Sequence, residues 1–140
     1  MDSSLYLAFA KDTLGVTFND PALLITAFTH RSYLNEHRKT VTEHNERLEF
    51  LGDAVLELVV TEHLFSQFSE PEGVMTNWRS ALVRTESIGA AALEFGFEPL
   101  LRLSRGEKRG TGRAREQILA NSFESVVGAL YLDQGYDAAK

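Results

Sequence analysis

Three carboxylates within eight residues are the first candidates for chemistry in this chain. The segment NERLEFLGD contains Glu46, Glu49 and Asp53. On an α-helix these residues fall within a stripe about 60° wide, because each residue turns the helix by about 100°. No lysine or arginine on that stripe offsets the repulsion between like charges three and four residues apart. Two interpretations stay open: the charged outer face of an ordinary amphipathic helix, or half of a metal site.

The apolar residues of the same helix lie on the side opposite the acids, which is expected of any surface helix. They are Leu48, Leu51, Val55, Leu58 and Val59. Phe50 is the exception, because helical spacing places this large aromatic side chain beside the acids. An aromatic residue next to clustered carboxylates suggests an interface. Glu57 either extends the acidic stripe by one turn or is plain surface.

A second helix offers complementary oxygen atoms. In ILANSFESVVGALYLD, Asn121 and Glu124 share one face, and Gly128 on the same side would let another backbone approach closely. If the two helices pack side by side, this pair converges with Glu49 and Asp53. Carboxylate and amide oxygens suit Mg²⁺ or Mn²⁺. Periodicity alone leaves the convergence open.

No segment shows sustained alternation with a period of two, so the sequence predicts an all-α domain. Helices are expected over four segments, namely NDPALLITAFTHRSYLNE, residues 43–68, SEPEGVMTNWRSALVRTESIGAAALEFG and residues 116–133. Asp20 is a suitable N-cap before Pro21, and Gly96 and Gly135 are suited to end helices. Residues 97–103 indicate a short helix or turn. The glycine-containing segment SRGEKRGTGRAR is expected to be a mobile basic loop.

The composition is that of one globular domain, expected to occupy residues 1–140. The absence of cysteine excludes disulfides and thiolate metal sites and fits a reducing cytoplasm. The first residues show no signal peptide, and no stretch approaches the roughly 20 apolar residues of a membrane span. We therefore expect a cytoplasmic protein without a membrane partner.

The net charge of −6 argues weakly against nucleic acid as a partner, but the distribution of charge differs. Between residues 102 and 115 the only acid is Glu107. The basic residues there are Arg102, Arg105, Lys108, Arg109, Arg113 and Arg115. A second basic group comprises Arg31, Arg38 and Lys39, with His30 and His37 beside them. A solvated face and a nucleic-acid surface are equally compatible with such runs.

Four segments in order resemble the endonuclease domain of the ribonuclease III family. NERLEFLGDAVLELVVTEHLF looks like the family's signature helix, and LLITAFTHRSYLNE resembles the helix before it. EGVMTNWRSALVRTESIGAAALEFG resembles the segment after the signature, and GEKRGTGRAREQILANSFESVVGALYLDQG resembles the glycine-rich loop and second acidic helix. The resemblance covers nearly the whole chain. It implies the family's helical endonuclease fold, and a homodimer that cleaves double-stranded RNA with Mg²⁺, for which Mn²⁺ is a possible substitute.

The resemblance also implies roles for particular residues. Glu49, Asp53 and Glu124 match metal-coordinating catalytic acids. Asn121 stands where better-known members carry an aspartate, so we expect a neutral oxygen ligand there. Phe50 matches an aromatic residue that inserts into the partner subunit.

Further residues are expected along the valley that holds the RNA. Glu46 matches an acid of the signature that lines this valley, and Glu72 matches a further acid near the cleavage site or the RNA. Lys108, Arg109 and Arg113 would contact phosphates. The implied products carry 5′-phosphates and 3′-hydroxyls, with a role in processing rRNA or mRNA.

The alternative is a weakened or inactive homologue that acts as an RNA-binding or ribosome-associated dimeric module, which Asn121 keeps open. A purely structural dimerisation domain leaves the paired acidic helices unexplained. The ending YDAAK looks like the start of another helix, and nothing resembles the family's C-terminal double-stranded-RNA-binding domain. We therefore expect that the domain is truncated at its C-terminus.

Overall fold

The computed structural model describes residues 3–39, 41 and 43–139, and this part of the chain is helical with no strand. The predicted all-α class is confirmed. Its α-helices are α1 (Ser4–Phe9), α2 (Pro21–Ala27), α3 (Arg31–Glu36), α4 (Glu46–Gln67), α5 (Glu72–Val83), α6 (Thr85–Glu94), α7 (Arg105–Lys108), α8 (Gly112–Gln134) and α9 (Tyr136–Ala139). A π-helical turn (Ala10–Leu14) continues α1, and a 3₁₀ turn (Glu98–Leu100) precedes α7. Residues 1, 2, 40, 42 and 140 of the predicted domain lie outside the described residues. None of the helices described is both long enough and apolar enough to span a bilayer.

Helix α8 is the central helix of the core, and α4, α6, α2 and α9 all pack against it. Helical spacing predicts an apolar face of α8 at Leu119, Phe123, Val126 and Leu130, opposite Asn121 and Glu124. Leu119, Val126 and Leu130 are buried there, and Phe123 is partly buried against the same core. Aromatic rings from α1, α2 and the segment after α6 fill the space beside it, and the fully buried pair Phe28 and Phe97 lies in the middle. The period of the apolar residues therefore identifies the buried side of α8 correctly.

The segment NDPALLITAFTHRSYLNE forms two helices, α2 and α3, so the prediction of one continuous helix is wrong. Its N-cap is as expected, because Asp20 accepts a hydrogen bond from the Ala22 amide at 3.1 Å. The interruption comes from distant backbone groups. The His30 amide donates to the Arg102 carbonyl at 3.0 Å, and the Arg102 amide donates to the Phe28 carbonyl at 2.8 Å. These bonds replace helical ones, and a local periodicity cannot reveal them.

The helix predicted over SEPEGVMTNWRSALVRTESIGAAALEFG is also divided, at Arg84, where the backbone is extended between α5 and α6. Gly96 and Gly135 follow helix ends as expected, with φ of 79° and 91° in the left-handed region. The predicted 97–103 turn contains the 3₁₀ turn.

The predicted basic loop is largely helical, because it contains α7 and the start of α8. Ser104 caps α7 by accepting a hydrogen bond from the Glu107 amide at 3.2 Å. Arg115 holds the connection in place by donating to the carbonyls of Glu107 and Lys108 at 2.8 and 3.0 Å. It also pairs with Glu98 at 3.2 Å, so Arg115 belongs to the scaffold and not to the exposed basic surface.

Candidate active site

Helices α4 and α8 are in direct backbone contact at two glycines. A Cβ atom on Gly52 would lie 1.6 Å from the main-chain oxygen of Glu124. A Cβ atom on Gly128 would lie 2.4 Å from the main-chain oxygen of Leu48. Neither position can therefore hold a side chain at this helix separation. The close approach expected at Gly128 is confirmed, whereas Gly52 was not singled out, although a glycine in a helix interior is a signal for such contacts.

This contact brings the acidic face of α4 next to the polar face of α8. The carboxyl groups of Asp53 and Glu124 come together across this contact, close enough for Asp53 to raise the pKa of Glu124. The amide group of Asn121 lies 3.1 Å from Glu49 Oε1. The four residues whose convergence the sequence left open thus meet as two pairs across the helix contact.

The electrostatics of the pairs are those of crowded carboxylates. Burial raises the pKa of Glu124 to about 8, together with the hydrogen bond that its protonated carboxyl can donate to Asp53 and the charges of Asp53, Glu49 and Glu57. Burial also raises the pKa of Glu49, and the charges of Glu46 and Asp53 add to that effect. Glu57 is exposed on α4, and its charge makes the smallest of these contributions.

The donor chemistry of this group fits a hard divalent cation. As they stand, no three aspartate, glutamate or histidine side chains among the described residues converge closely enough to hold a metal ion. The three carboxylates and the Asn121 amide nevertheless supply the oxygen donors that Mg²⁺ and Mn²⁺ prefer. A cation would also relieve the repulsion that, after burial, adds to the raised pKa values of Glu49 and Glu124. Its binding would require these carboxylates to move closer together, since no three of them now converge on one point.

Glu46 is engaged elsewhere, because its carboxylate forms an ion pair with Arg31 of α3. Its main-chain amide also donates to His44 Nδ1 at 3.4 Å. Glu46 therefore lies beside the carboxylate group but is paired with a cation of its own. The sequence places Arg31 only in a basic group, and a tertiary contact of this kind carries no local signal.

Two buried polar residues that the sequence did not single out fix the start of α4. Asn45 donates through its side chain to the Ala27 carbonyl at 3.1 Å. Ser125 lies with its hydroxyl 3.1 Å from the Asn45 carbonyl and 2.8 Å from the Asn121 carbonyl. These contacts tie α2, α4 and α8 together at the start of α4.

Phe50 lies on the polar side of α4, as helical spacing predicts, with 85% of its surface exposed. Phe50 forms part of the wall of a groove whose other lining residues are Leu23, Thr26, Glu43, His44, Glu46, Arg47, Leu48, Leu51 and Leu132. Leu58, expected on the apolar face, is 54% exposed, so that face is only partly covered within one chain. An exposed aromatic residue beside an open groove is the arrangement of a contact surface.

Glu72 is not brought to the carboxylate group within this chain. It begins α5 and lines a separate pocket with Thr61, Phe65 and Arg79 near the other end of α4. Thr61 lies about 12 Å along the helix axis from Asp53, at about 1.5 Å per residue.

The two basic groups of the sequence meet on one side of the molecule. The Ser104 amide donates to Ser32 Oγ at 2.9 Å, and the Arg105 amide donates to Glu36 Oε2 at 3.3 Å. These bonds place α7 beside α3. The exposed basic side chains of the two segments and of the start of α8 are Arg31, Arg38, Lys39, Arg105, Lys108, Arg109 and Arg113. Arg102 is partly buried and stacks 4.3 Å over the Tyr33 ring, so it serves the scaffold.

Known proteins are similar to this chain in sequence and in fold. The chain is 52% identical over 128 residues to Ribonuclease 3 of Oceanobacillus iheyensis and 48% identical over 130 residues to that of Streptococcus gordonii. These alignments cover 91% and 92% of this chain but 56% of each relative, so the chain spans just over half their length.

The solved nuclease domain of ribonuclease III from Campylobacter jejuni superposes with a TM-score of 0.84 at 36% identity, covering 95% of this chain and 90% of that one. A family model described as Ribonuclease-III-like matches residues 20–140, which include both acidic helices and the basic segments. Fold, sequence and domain model agree, and the chain belongs to the ribonuclease III family.

Proposed function

We propose that this chain is the catalytic domain of an endoribonuclease that hydrolyses phosphodiester bonds in double-stranded RNA with divalent metal ions. The observation that carries the proposal is the meeting of Glu49 and Asp53 with Asn121 and Glu124 across the α4–α8 contact. The relatives of known name are ribonucleases, and they support the same reaction class.

The residues would divide the work as follows. Glu49, Asp53 and Glu124 hold the cation, with Asn121 completing the polar group. Bound Mg²⁺, or Mn²⁺ in its place, supplies an activated water and a counter-charge for the phosphoryl oxygen. The rigid glycine contact fixes the distance between the two helices, and therefore between the groups that position the scissile phosphate. Hydrolysis on the 3′-oxygen side of the phosphate leaves 5′-phosphate and 3′-hydroxyl ends.

The basic side formed by α3, α7 and the start of α8 would bind the RNA backbone. Lys108, Arg109 and Arg113 are exposed there and would contact phosphates, which gives affinity that depends on salt and little on sequence. Duplex RNA is recognised largely by its shape and its 2′-hydroxyls. Glu46 and Glu72 are proposed to line the valley that holds the RNA. The charge of Glu46 is balanced there by Arg31.

A homodimer is the proposed working form. The Campylobacter jejuni nuclease domain has a region involved in dimer formation. In this chain Phe50 is largely exposed beside an open groove, so each copy can insert its ring into the groove of the other. The dimer would place two carboxylate groups along one RNA valley.

The cellular role proposed is the processing of rRNA or mRNA in the cytoplasm. The relatives extend well beyond the length matched here. A double-stranded-RNA-binding domain in that additional length would raise the affinity for RNA, and would compensate for the net charge of −6.

The test is a cleavage assay with a long RNA duplex in Mg²⁺ and in chelator. The variants are Glu124→Gln and, as a matched control, Glu94→Gln at an exposed position of α6. Cleavage should require Mg²⁺, disappear in Glu124→Gln and persist in Glu94→Gln. The proposal fails if the protein does not cut duplex RNA, or if Glu124→Gln cuts as well as the unmodified chain. Binding of duplex without cleavage would instead favour the non-catalytic RNA-binding module.

A further inference from the structure

Asn121 lies where its side-chain amide meets two oxygen atoms. One end of the amide is 3.1 Å from Glu49 Oε1 and 3.3 Å from the main-chain carbonyl oxygen of Gln117. The side-chain amide of Gln117 lies 2.8 Å from the same end. Three contacts therefore fix this group on α8 facing α4.

The chemistry of the neighbours decides which atom of the amide stands there. Both Glu49 Oε1 and the Gln117 carbonyl are acceptors, so the nitrogen of Asn121 can donate to both. If the Asn121 oxygen occupied that place, it would accept one hydrogen bond from Gln117 Nε2. It would also face two other oxygen atoms, Glu49 Oε1 and the Gln117 main-chain oxygen, to which it cannot donate. A half-turn of the Gln117 side-chain amide keeps the third contact when the nitrogen faces Glu49. The network thus assigns the nitrogen to this position.

We propose that Asn121 is a positioning residue that donates a hydrogen bond to Glu49 and holds this carboxylate at the helix contact before a metal ion binds. The inference rests on the proposed function and deepens it. It revises the sequence-based expectation that Asn121 acts only as a neutral oxygen ligand.

An aspartate in the same place would have the opposite effect on the metal-free protein. Its oxygen would lie within about 3 Å of the Glu49 carboxylate and of a carbonyl oxygen, where like charges repel. A bound cation would relieve that repulsion without protonation of either carboxylate. Asn121 therefore favours an ordered metal-free site with one negative charge fewer, and in return it weakens the hold on the cation.

The test is a set of four proteins: the unmodified chain, Asn121→Asp, Glu49→Gln, and the double variant. Their melting temperatures are measured in chelator and in Mg²⁺, and Mg²⁺ affinity is measured by calorimetry. In chelator, Asn121→Asp should melt several degrees below the unmodified chain. Mg²⁺ should raise its melting temperature by more than it raises that of the unmodified chain. The variant should also bind Mg²⁺ about tenfold more tightly, because it adds a charged ligand. The double variant should regain the lost melting temperature in chelator, because the two substitutions together restore an amide–carboxylate pair with donor and acceptor exchanged.

Asn77→Asp is the matched control, since it makes the same chemical change at an exposed position of α5. It should leave the melting temperature in chelator unchanged. The inference is overturned if Asn121→Asp behaves like this control in chelator, or if the double variant does not recover. The chelator series decides the inference even if the unmodified chain neither binds Mg²⁺ nor cuts RNA, the result that would defeat the proposed function.

Discussion

Replacing Gly52 with alanine is expected to force helices α4 and α8 apart and to separate the carboxylates that meet between them. The added methyl carbon would lie 1.6 Å from the main-chain oxygen of Glu124, whereas ordinary contacts begin at 3.4 Å. The helices must therefore move apart by about 1.8 Å, because a backbone oxygen has no rotamer by which to yield.

The expected loss of stability follows from that clash. Overpacking in a core costs about 1–3 kcal/mol, and a backbone clash belongs at the upper end or beyond. Alanine's better helix propensity recovers only about 1 kcal/mol. Gly128→Ala, with its methyl 2.4 Å from the Leu48 oxygen, should cost less. A misplacement of about 1 Å can reduce catalysis about 100-fold, so Gly52→Ala should lose at least that factor in kcat.

The measurements are urea unfolding and the rate of duplex-RNA cleavage at saturating Mg²⁺. Gly73→Ala is the control, because a Cβ atom there meets nothing within 4 Å and its φ is not in the left-handed region. The expected order of stability is Gly73→Ala, then Gly128→Ala, then Gly52→Ala. If Gly52→Ala is as stable and as active as Gly73→Ala, the backbone contact between α4 and α8 does not determine the positions of the carboxylates.

Three further predictions concern titration, assembly and the end of α8. In chelator, the free energy of unfolding should fall between pH 5 and about pH 8. Burial, with the hydrogen bond and charge of Asp53, raises the pKa of Glu124 to about 8. Over this range the folded chain therefore keeps a proton that the unfolded chain releases. Urea midpoints that rise over this range would contradict this. Phe50→Ala should weaken self-association in sedimentation without changing helix content, whereas Leu93→Ala, exposed on α6, should not; equal association of both would argue against the Phe50 contact. Asp133→Ala should cost about 1–2 kcal/mol of unfolding free energy, because its carboxylate accepts the Asn19 and Asp20 amides at 2.8 Å each. Unchanged unfolding would show that these bonds contribute nothing.

The parts of the fold that depend on local pattern could be predicted. The apolar period of α8, the Asp20 cap and the glycines after α6 and α8 are properties of neighbouring residues, and they agree with the structure. The acidic stripe of α4 is likewise a consequence of helical spacing. The family resemblance then predicts that the acidic stripe of α4 faces the polar side of α8.

The parts that depend on distant partners could not be predicted. The break between α2 and α3 is made by backbone bonds to Arg102, 73 residues beyond Thr29. The ion pair between Arg31 and Glu46 and the pairing of Arg115 with Glu98 also join different elements, 15 and 17 residues apart in the sequence. The donor role inferred for Asn121 required the distance to Glu49, since its residue type is compatible with either donation or acceptance.

The proposed function depends above all on one divalent-cation site formed jointly by α4 and α8. Anomalous diffraction from a crystal of this protein soaked in Mn²⁺ tests that site without an intermediate step. We expect a peak between the two helices, bound by Glu49, Asp53 and Glu124, and its loss in Glu124→Gln. A protein that cleaves duplex RNA but shows its Mn²⁺ peak away from these carboxylates, or keeps the peak unchanged in that variant, would contradict the joint site.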